Sequence, residues 1–177
     1  MKLVLVGIQG AGKSTQGNML SDALKIPYLS SGHIFREMAK EKTHLGRQLK
    51  ETLNSGALVP DKLTLEIITE YLKKPEYVKG YILDGFPRTV PQAEVFNGSV
   101  EKVIFIDVTD KEALWRISGR MTDREDETLQ AIRKRIESFH TFTEPILEYY
   151  RERGMLIQVN GEKPVEEVYA EIMELLK

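Results

Sequence analysis

A chain of 177 residues with a net charge of −2 is long enough to bury one sizeable core and has no basic excess to grip a nucleic-acid backbone. It has no cysteine, which excludes disulfides and thiolate metal sites, and no apolar run long enough to cross a membrane. With 29% charged and 41% hydrophobic residues, no repeats and no signal peptide ahead of the first strand, a single cytoplasmic domain is expected, with no nucleic-acid or membrane partner.

Lys2 to Val6 is a short apolar, β-branched run that reads as a buried strand. Gly7-Ile8-Gln9-Gly10-Ala11-Gly12-Lys13-Ser14-Thr15 follows it and fits the phosphate-binding pattern G-x-x-x-x-G-K-[ST]. Met19, Leu20, Ala23 and Leu24 then recur at helical spacing. Strand, glycine loop and helix is the context that motif needs. Glycines let the backbone turn tightly and aim successive N–H groups at phosphate oxygens, and the helix N-terminus adds partial positive charge. Lys13 supplies a full charge to the outer phosphates, and Ser14 or Thr15 can reach Mg²⁺ or its waters.

Ile26 to Leu29 is a short strand candidate. Ser30 and Ser31 offer an N-cap to a helix through Ile34, Phe35 and Met38, with Arg36 in its early turns. A helix over about 45–53 stops at Gly56, and Val59-Pro60-Asp61 opens another with Leu63, Ile67, Ile68, Tyr71 and Leu72 on one face. Helices in this number between two strands predict a small helical insertion at about 30–60. Gly80 to Asp84 is a strand ending in a carboxylate, of the kind that holds Mg²⁺ or its waters in phosphoryl-transfer enzymes. Gly85-Phe86-Pro87-Arg88 follows, then a short helix with Pro91, Gln92 and Phe96. Lys102 to Val108 is a strong central strand, and Asp110 caps a helix to about Arg120 in which Trp115 packs. From about Asp126 a long helix carries Leu129, Ile132, Ile136 and Phe139 on a core stripe, broken or restarted at Pro145. Met155 to Val159 is the last strand, and Pro164 starts the last helix. Five strands alternating with helices predict an α/β fold: a parallel sheet in three layers, of the P-loop NTPase type, with ligands outside the carboxyl ends of the strands. The glycine loop, Asp84 and Arg88 all fall at that edge.

These blocks resemble the adenylate kinase family. Gly7 to Thr15 with Gln16 is similar to its phosphate loop, Ser31-Gly32-His33-Ile34-Phe35-Arg36 and Gly56-Ala57-Leu58-Val59-Pro60-Asp61 to its two substrate-nucleotide motifs, and Asp84 to Thr89 with Gln92 to its signature. Arg116, Arg120, Arg124 and Arg135 resemble its arginine set, and Asn160 to Val165, with Lys163, the segment that meets the ATP base. The blocks run in family order over nearly the whole chain. Ser14 stands where the family usually has glycine, Gln9 where it often has proline, and His33 where it usually has aspartate. Many bacterial members insert a lid of some thirty residues between the positions of Arg120 and Arg124. Here only Met121, Thr122 and Asp123 remain, in a residual lid loop of about 120–126.

The resemblance implies the reaction Mg²⁺·ATP + AMP ⇌ 2 ADP, in a monomer or homo-oligomer. An AMP phosphate oxygen is already anionic, so no general base is needed, and catalysis is positioning plus charge neutralisation. Arginine suits this because its planar fork grips phosphate at two points and stays charged. By resemblance, Ser31, Arg36, Val59, Gly85, Arg88 and Gln92 hold AMP, with Gln92 and the Val59 backbone on its base. Gly10, Ala11, Gly12, Lys13, Ser14, Thr15 and Lys163 hold ATP. Arg116, Arg120, Arg124 and Arg135 surround the transferring group and the ATP phosphates, with Arg116 and Arg120 on ATP and Arg124 and Arg135 also on AMP, and Asp84 and Ser14 position Mg²⁺ through its waters, with no direct protein metal ligand implied. Arg116, Arg120 and Arg124, four apart, could equally form a solvated helix face with Asp123, Glu125 and Glu127. The loop and the 84–88 signature favour the phosphate reading. Arg133 reads as a surface residue, and His33, His44 and His140 receive no role.

Rival readings are a UMP or CMP kinase, whose members usually lack the glutamine matching Gln92, and a non-catalytic nucleotide switch. A GTPase switch would show an Asn-Lys-x-Asp motif, and none occurs. Three residues span at most about 11 Å, too little for a separate lid. The sequence therefore predicts either ATP hydrolysis without AMP or shielding of the site by a neighbouring subunit.

Overall fold

The computed structural model describes residues 1–119 and 128–177. Its centre is a five-stranded sheet of β1 (Lys2–Val6), β2 (Tyr28–Ser30), β3 (Tyr81–Asp84), β4 (Lys102–Asp107) and β5 (Leu156–Asn160), ordered β2-β3-β1-β4-β5. Every pairing is parallel. Parallel strands are buried on both faces, which is why β1, β3 and β4 read as near-continuous apolar runs. Their side chains alternate between two cores. Val4, Val6, Leu83, Val103 and Phe105 face one side. Leu3, Leu5, Ile82, Ile104 and Ile106 face the other.

Helices cover both faces, as expected. On the second face lie α1 (Lys13–Leu24), α6 (Asp110–Ser118) and α9 (Val165–Leu175), through Leu20, Ala113, Val168 and Ile172. On the first lie α2 (Ser31–Ala39), α3 (His44–Asn54), α4 (Asp61–Leu72), α5 (Val90–Phe96) and α8 (Pro145–Arg151), through Ile34, Leu49, Ile68, Phe96 and Tyr150. Helix α7 (Leu129–Ser138) follows the stretch outside the described residues. Three of these helices fill the connection between β2 and β3. Ser30 caps α2 and Thr43 caps α3, each hydroxyl accepting from a backbone N–H three residues on. The stop at Gly56 is a Schellman turn. Gly56 has φ +73°, its N–H reaches Leu53 O (3.1 Å), and the N–H of Ala57 reaches Thr52 O (3.2 Å).

Several expectations need correction. Strand β2 starts at Tyr28, not Ile26. Thr109 rather than Asp110 caps α6, its hydroxyl accepting from Glu112 N. Thr128 caps α7, so that helix is shorter than the periodicity suggested. Leu129 is 63% exposed, Ile132 is buried but outside both cores, and only Ile136 and Phe139 of the stripe pack against one. Trp115 is 70% exposed and packs into neither core. Before Pro145 the helix widens into a π turn over Phe139–Thr143, closed by Glu144 N to Phe139 O (2.8 Å). Proline has no N–H to continue a regular ladder, and the wide turn carries the chain into α8 around it.

His140, in that π turn, ties α6 to the start of α8. Its Nδ1 meets a Glu144 carboxylate oxygen at 2.8 Å and its Nε2 an Asp110 oxygen at 2.9 Å. These two carboxylates raise the imidazole pKa above its ordinary value, against a smaller opposing effect of burial. A group whose folded pKa is raised contributes stability below its unfolded pKa, about 6.5, and loses it as pH rises through the folded value. The stability difference between wild type and His140→Gln is therefore expected to be largest near pH 6 and to shrink at alkaline pH. Urea melts across that range test this, and a difference independent of pH would contradict the charged bridge.

Candidate active site

The loop after β1 is built by glycine geometry. Gly10 has φ +91° and Gly12 φ +92°, a region where side chains are strained. A Cβ on Gly10 would also stand 2.8 Å from the Ala113 carbonyl of α6, so the loop sits hard against that helix. Lys13 folds back over the loop, and its Nζ donates to Gly7 O (2.8 Å) and Ile8 O (2.9 Å). The ammonium is thereby fixed inside the curve of the loop. Ser14 and Thr15 stand exposed on the first turn of α1. Gln16 is buried and donates from Nε2 to Val165 O (2.9 Å), pinning α1 to the start of α9.

The loop opens on a cleft of about 380 Å³ at the carboxyl ends of β1, β2 and β3. Gly10, Gly12, Lys13 and Ser14 line it, together with Arg36, Val59, Gly85 and Gln92. Asp84, Arg88 and Arg135 line it as well. Arg88 donates from Nε to Gly85 O (2.7 Å). Burial lowers its pKa from the usual arginine value; Asp84 opposes that, and Arg135 and Arg36 add to it. Three guanidinium groups share one cleft, an arrangement that suits polyanions. Arg135 reaches the cleft from α7 and donates to Leu53 O (3.0 Å) and to Gln9 Oε1 (3.4 Å). Gln9 therefore works as a support for an arginine.

Ser31, expected at the site, is not among the residues lining the cleft; its buried hydroxyl has no hydrogen-bond partner among the described residues and lies beside Gly85, where a Cβ would come within 2.6 Å of it. The Val59 carbonyl accepts from Thr64 Oγ1 (3.2 Å). Gln92, which on a short helix would ordinarily be solvent-exposed, is only 2% exposed. Arg116 and Lys163 stand outside the lining of this cleft. Arg116 pairs with Glu112 (2.7 Å) and donates to Gly161 O (2.9 Å), on the segment after β5. Lys163 pairs with Glu171 (2.8 Å). The expectations for Arg120, Arg124 and the lid loop lie outside the described residues.

Among the residues given no site role by the sequence, two touch the polar side chains of Asp84 and Gln92. Asp61 is one. Tyr28 is the other, and its hydroxyl donates to Asp84 Oδ2 at 2.7 Å. The available signal was Gly17. A glycine inside a helix costs about 1 kcal/mol relative to alanine. Here a Cβ at Gly17 would meet the Tyr28 ring at 2.4 Å, so the glycine makes room for the tyrosine. Burial, with Asp84 next in weight, pushes the Tyr28 pKa far up, so the phenol stays a donor.

A model of the adenylate kinase family matches residues 5–155, a span holding the glycine loop, Asp84, Arg88, Gln92 and Arg135. The chain belongs to the adenylate kinase family. It is 36% identical to the adenylate kinase of Methanocella arvoryzae over 213 aligned positions, covering 100% of this chain and 99% of that one. It is 34% identical to the adenylate kinase of Caldicellulosiruptor bescii, with 99% of each chain covered, and 34% to that of Streptomyces avermitilis, with 100% and 97% covered.

Within this adenylate kinase fold the Tyr28 contact predicts a stability effect. Tyr28→Phe leaves a buried carboxylate oxygen of Asp84 without its donor. It is expected to cost about 1–3 kcal/mol in a urea melt. A melt indistinguishable from wild type would mean that water replaces the phenol.

Proposed function

We propose that this chain catalyses reversible phosphoryl transfer from ATP to AMP, giving two ADP. The arrangement that carries the reading is the Lys13 loop lining one cleft together with Arg88, Arg36 and Arg135. An AMP phosphate oxygen attacks the γ-phosphorus of ATP. The new P–O bond forms as the bond to the β,γ-bridging oxygen breaks, and ADP leaves from each side. No protein group accepts a proton. Lys13 and the loop N–H groups hold the donor phosphates, Arg36 and Arg88 hold the acceptor phosphate, and Arg135 meets the group in transit.

Magnesium arrives with the nucleotide and, when bound, neutralises phosphate charge. An exposed hydroxyl at Ser14 and a strand-end carboxylate at Asp84 are the hard oxygen groups that suit this ion and its waters. Ser31, Gly85, Gln92 and the Val59 carbonyl form the acceptor-nucleotide side, with residues at about 30–60 as the subdomain that carries most of it. Arg116, Arg120, Lys163 and the segment after β5 serve ATP, and Arg124 stands with Arg135 at the transferring group.

The whole chain aligns over 213 positions with a relative while holding 177 residues, so about 36 positions of that alignment have no counterpart here. A loss of that size supports the reading that the lid is cut to a short loop. The test is ADP disproportionation with Mg²⁺, followed as ATP in a coupled assay and as AMP by chromatography. Equal formation of both is expected. Failure to form them from ADP would overturn the reading.

A further inference from the structure

Gln92 is held at both ends of its amide. Its Oε1 accepts the backbone N–H of Arg88 at 2.8 Å, and its Nε2 donates to Asp61 Oδ1 at 2.7 Å. The same Asp61 oxygen accepts from Thr89 Oγ1 at 3.0 Å, and Thr89 caps α5, the helix that carries Gln92. Asp61 is the first residue of α4, where the helix N-terminus favours a carboxylate.

A backbone N–H can only donate, and a carboxylate can only accept. Turning the amide over would set an N–H against an N–H and an oxygen against a carboxylate. The orientation of a glutamine amide is usually a matter of choice. Here two partners of opposite kind dictate it. Each amide end keeps further capacity, a second N–H on Nε2 and a second lone pair on Oε1. Gln92 thus presents the cleft with a donor and an acceptor in one fixed order.

We infer that Asp61 is a specificity-positioning residue. By fixing the polarity of the Gln92 amide, it makes the acceptor site select a 6-aminopurine monophosphate and reject a 6-oxopurine one. The inference rests on the proposed contact between Gln92 and the acceptor base. Adenine offers an acceptor at N1 beside a donor at its 6-amino group. Hypoxanthine offers a donor at N1 beside an acceptor at O6, the reverse order. A fixed amide pairs with the first and meets the second like-to-like. Such a mismatch is costly because the buried groups of the site are then left unpaired.

The test compares AMP with inosine monophosphate as phosphate acceptors, with ATP as donor, in wild type, Asp61→Ala, Asp61→Ser and Asp61→Asn. Wild type is expected to favour AMP strongly in kcat/KM. Asp61→Ala is expected to lower the AMP-to-IMP ratio at least about tenfold, chiefly through KM for AMP, with KM for ATP unchanged. Serine suits a helix start but is too short to reach Gln92, so Asp61→Ser should follow alanine even if alanine folds poorly. Asparagine can still present an acceptor oxygen, so Asp61→Asn should stay within about threefold of the wild-type ratio.

If alanine and serine depress both acceptors equally, Asp61 is merely structural and the inference fails, while wild-type activity with AMP leaves the proposed function standing. If wild type does not discriminate between the acceptors, the inference fails on its own. If wild type uses neither acceptor, the proposed function fails first.

Discussion

Replacing Arg88 with alanine is expected to slow ADP disproportionation by about 10³-fold, in the range that removal of a charge-bearing transition-state contact produces. The same change is expected to leave the melting temperature unchanged or to raise it. The loss of turnover follows from the proposed contact of Arg88 with phosphate in the cleft, and the stability half from the charges around it. Burial lowers the Arg88 pKa, and Arg135 and Arg36 repel it, with Asp84 as the opposing charge. A cation whose pKa falls on folding destabilises the folded state relative to an unburied one. The protein therefore holds Arg88 charged at a cost, which a polyanionic substrate would offset on binding. Removing the side chain relieves that cost and, on the proposed role, removes its grip on the acceptor phosphate. Arg88→Lys separates charge from shape. Lysine keeps the charge but loses the two-point fork and the Nε bond to Gly85 O, so a loss of about 10²-fold is expected. Coupled-assay turnover and thermal melts on the three proteins decide the matter. A loss below tenfold in Arg88→Ala would remove this residue from the proposed mechanism.

Much of this was legible in the sequence because local rules and global fold agree. The buried parallel strands read as apolar runs, and the loop at residues 7–15 read as a phosphate loop because strand and helix flank it. The site edge followed from topology, since β1 and β3 place their carboxyl ends side by side, with Leu5 in register with Asp84. What the sequence hid was of two kinds. Surface decisions escaped it: Trp115 and Leu129 sit at apolar positions of a helical pattern yet are exposed, because a pattern states which face could be buried and not whether a neighbour covers it. Contacts between residues distant in the chain escaped it too. Tyr28 and Asp84 stand 56 residues apart, and Asp61 and Gln92 stand 31 apart. Tyr28 and Asp61 each have an ordinary local role, as a strand member and a helix opener, that satisfied the sequence reading by itself. Only Gly17, a poor helix residue in mid-helix, hinted that something large packs against it.

Lys13→Met is the change expected to rival Arg88→Ala. Methionine keeps the unbranched stem and removes only the ammonium, so packing along α1 should persist. The structure gives the ammonium one task and the proposed mechanism gives it a second. Without nucleotide it bridges the carbonyls of Gly7 and Ile8, which point into the curve of the loop. With nucleotide, on the proposed mechanism, it follows charge moving onto the outer phosphates during transfer. The first task predicts a modest loss of stability, about 1 kcal/mol for hydrogen bonds that water can partly replace. The second predicts a loss of turnover of about 10³-fold, because the charge acts most strongly where phosphate negative charge develops. Arginine should not rescue it. The loop is closed on one side by the Ala113 carbonyl, which already lies 2.8 Å from where a Cβ on Gly10 would stand, and a planar fork is bulkier than an ammonium. Urea melts give the first quantity and the coupled assay the second. A Lys13→Met enzyme that is badly unfolded would assign the lysine chiefly to loop structure, and one that turns over near wild-type rate would mean that the arginines alone neutralise the transferring group.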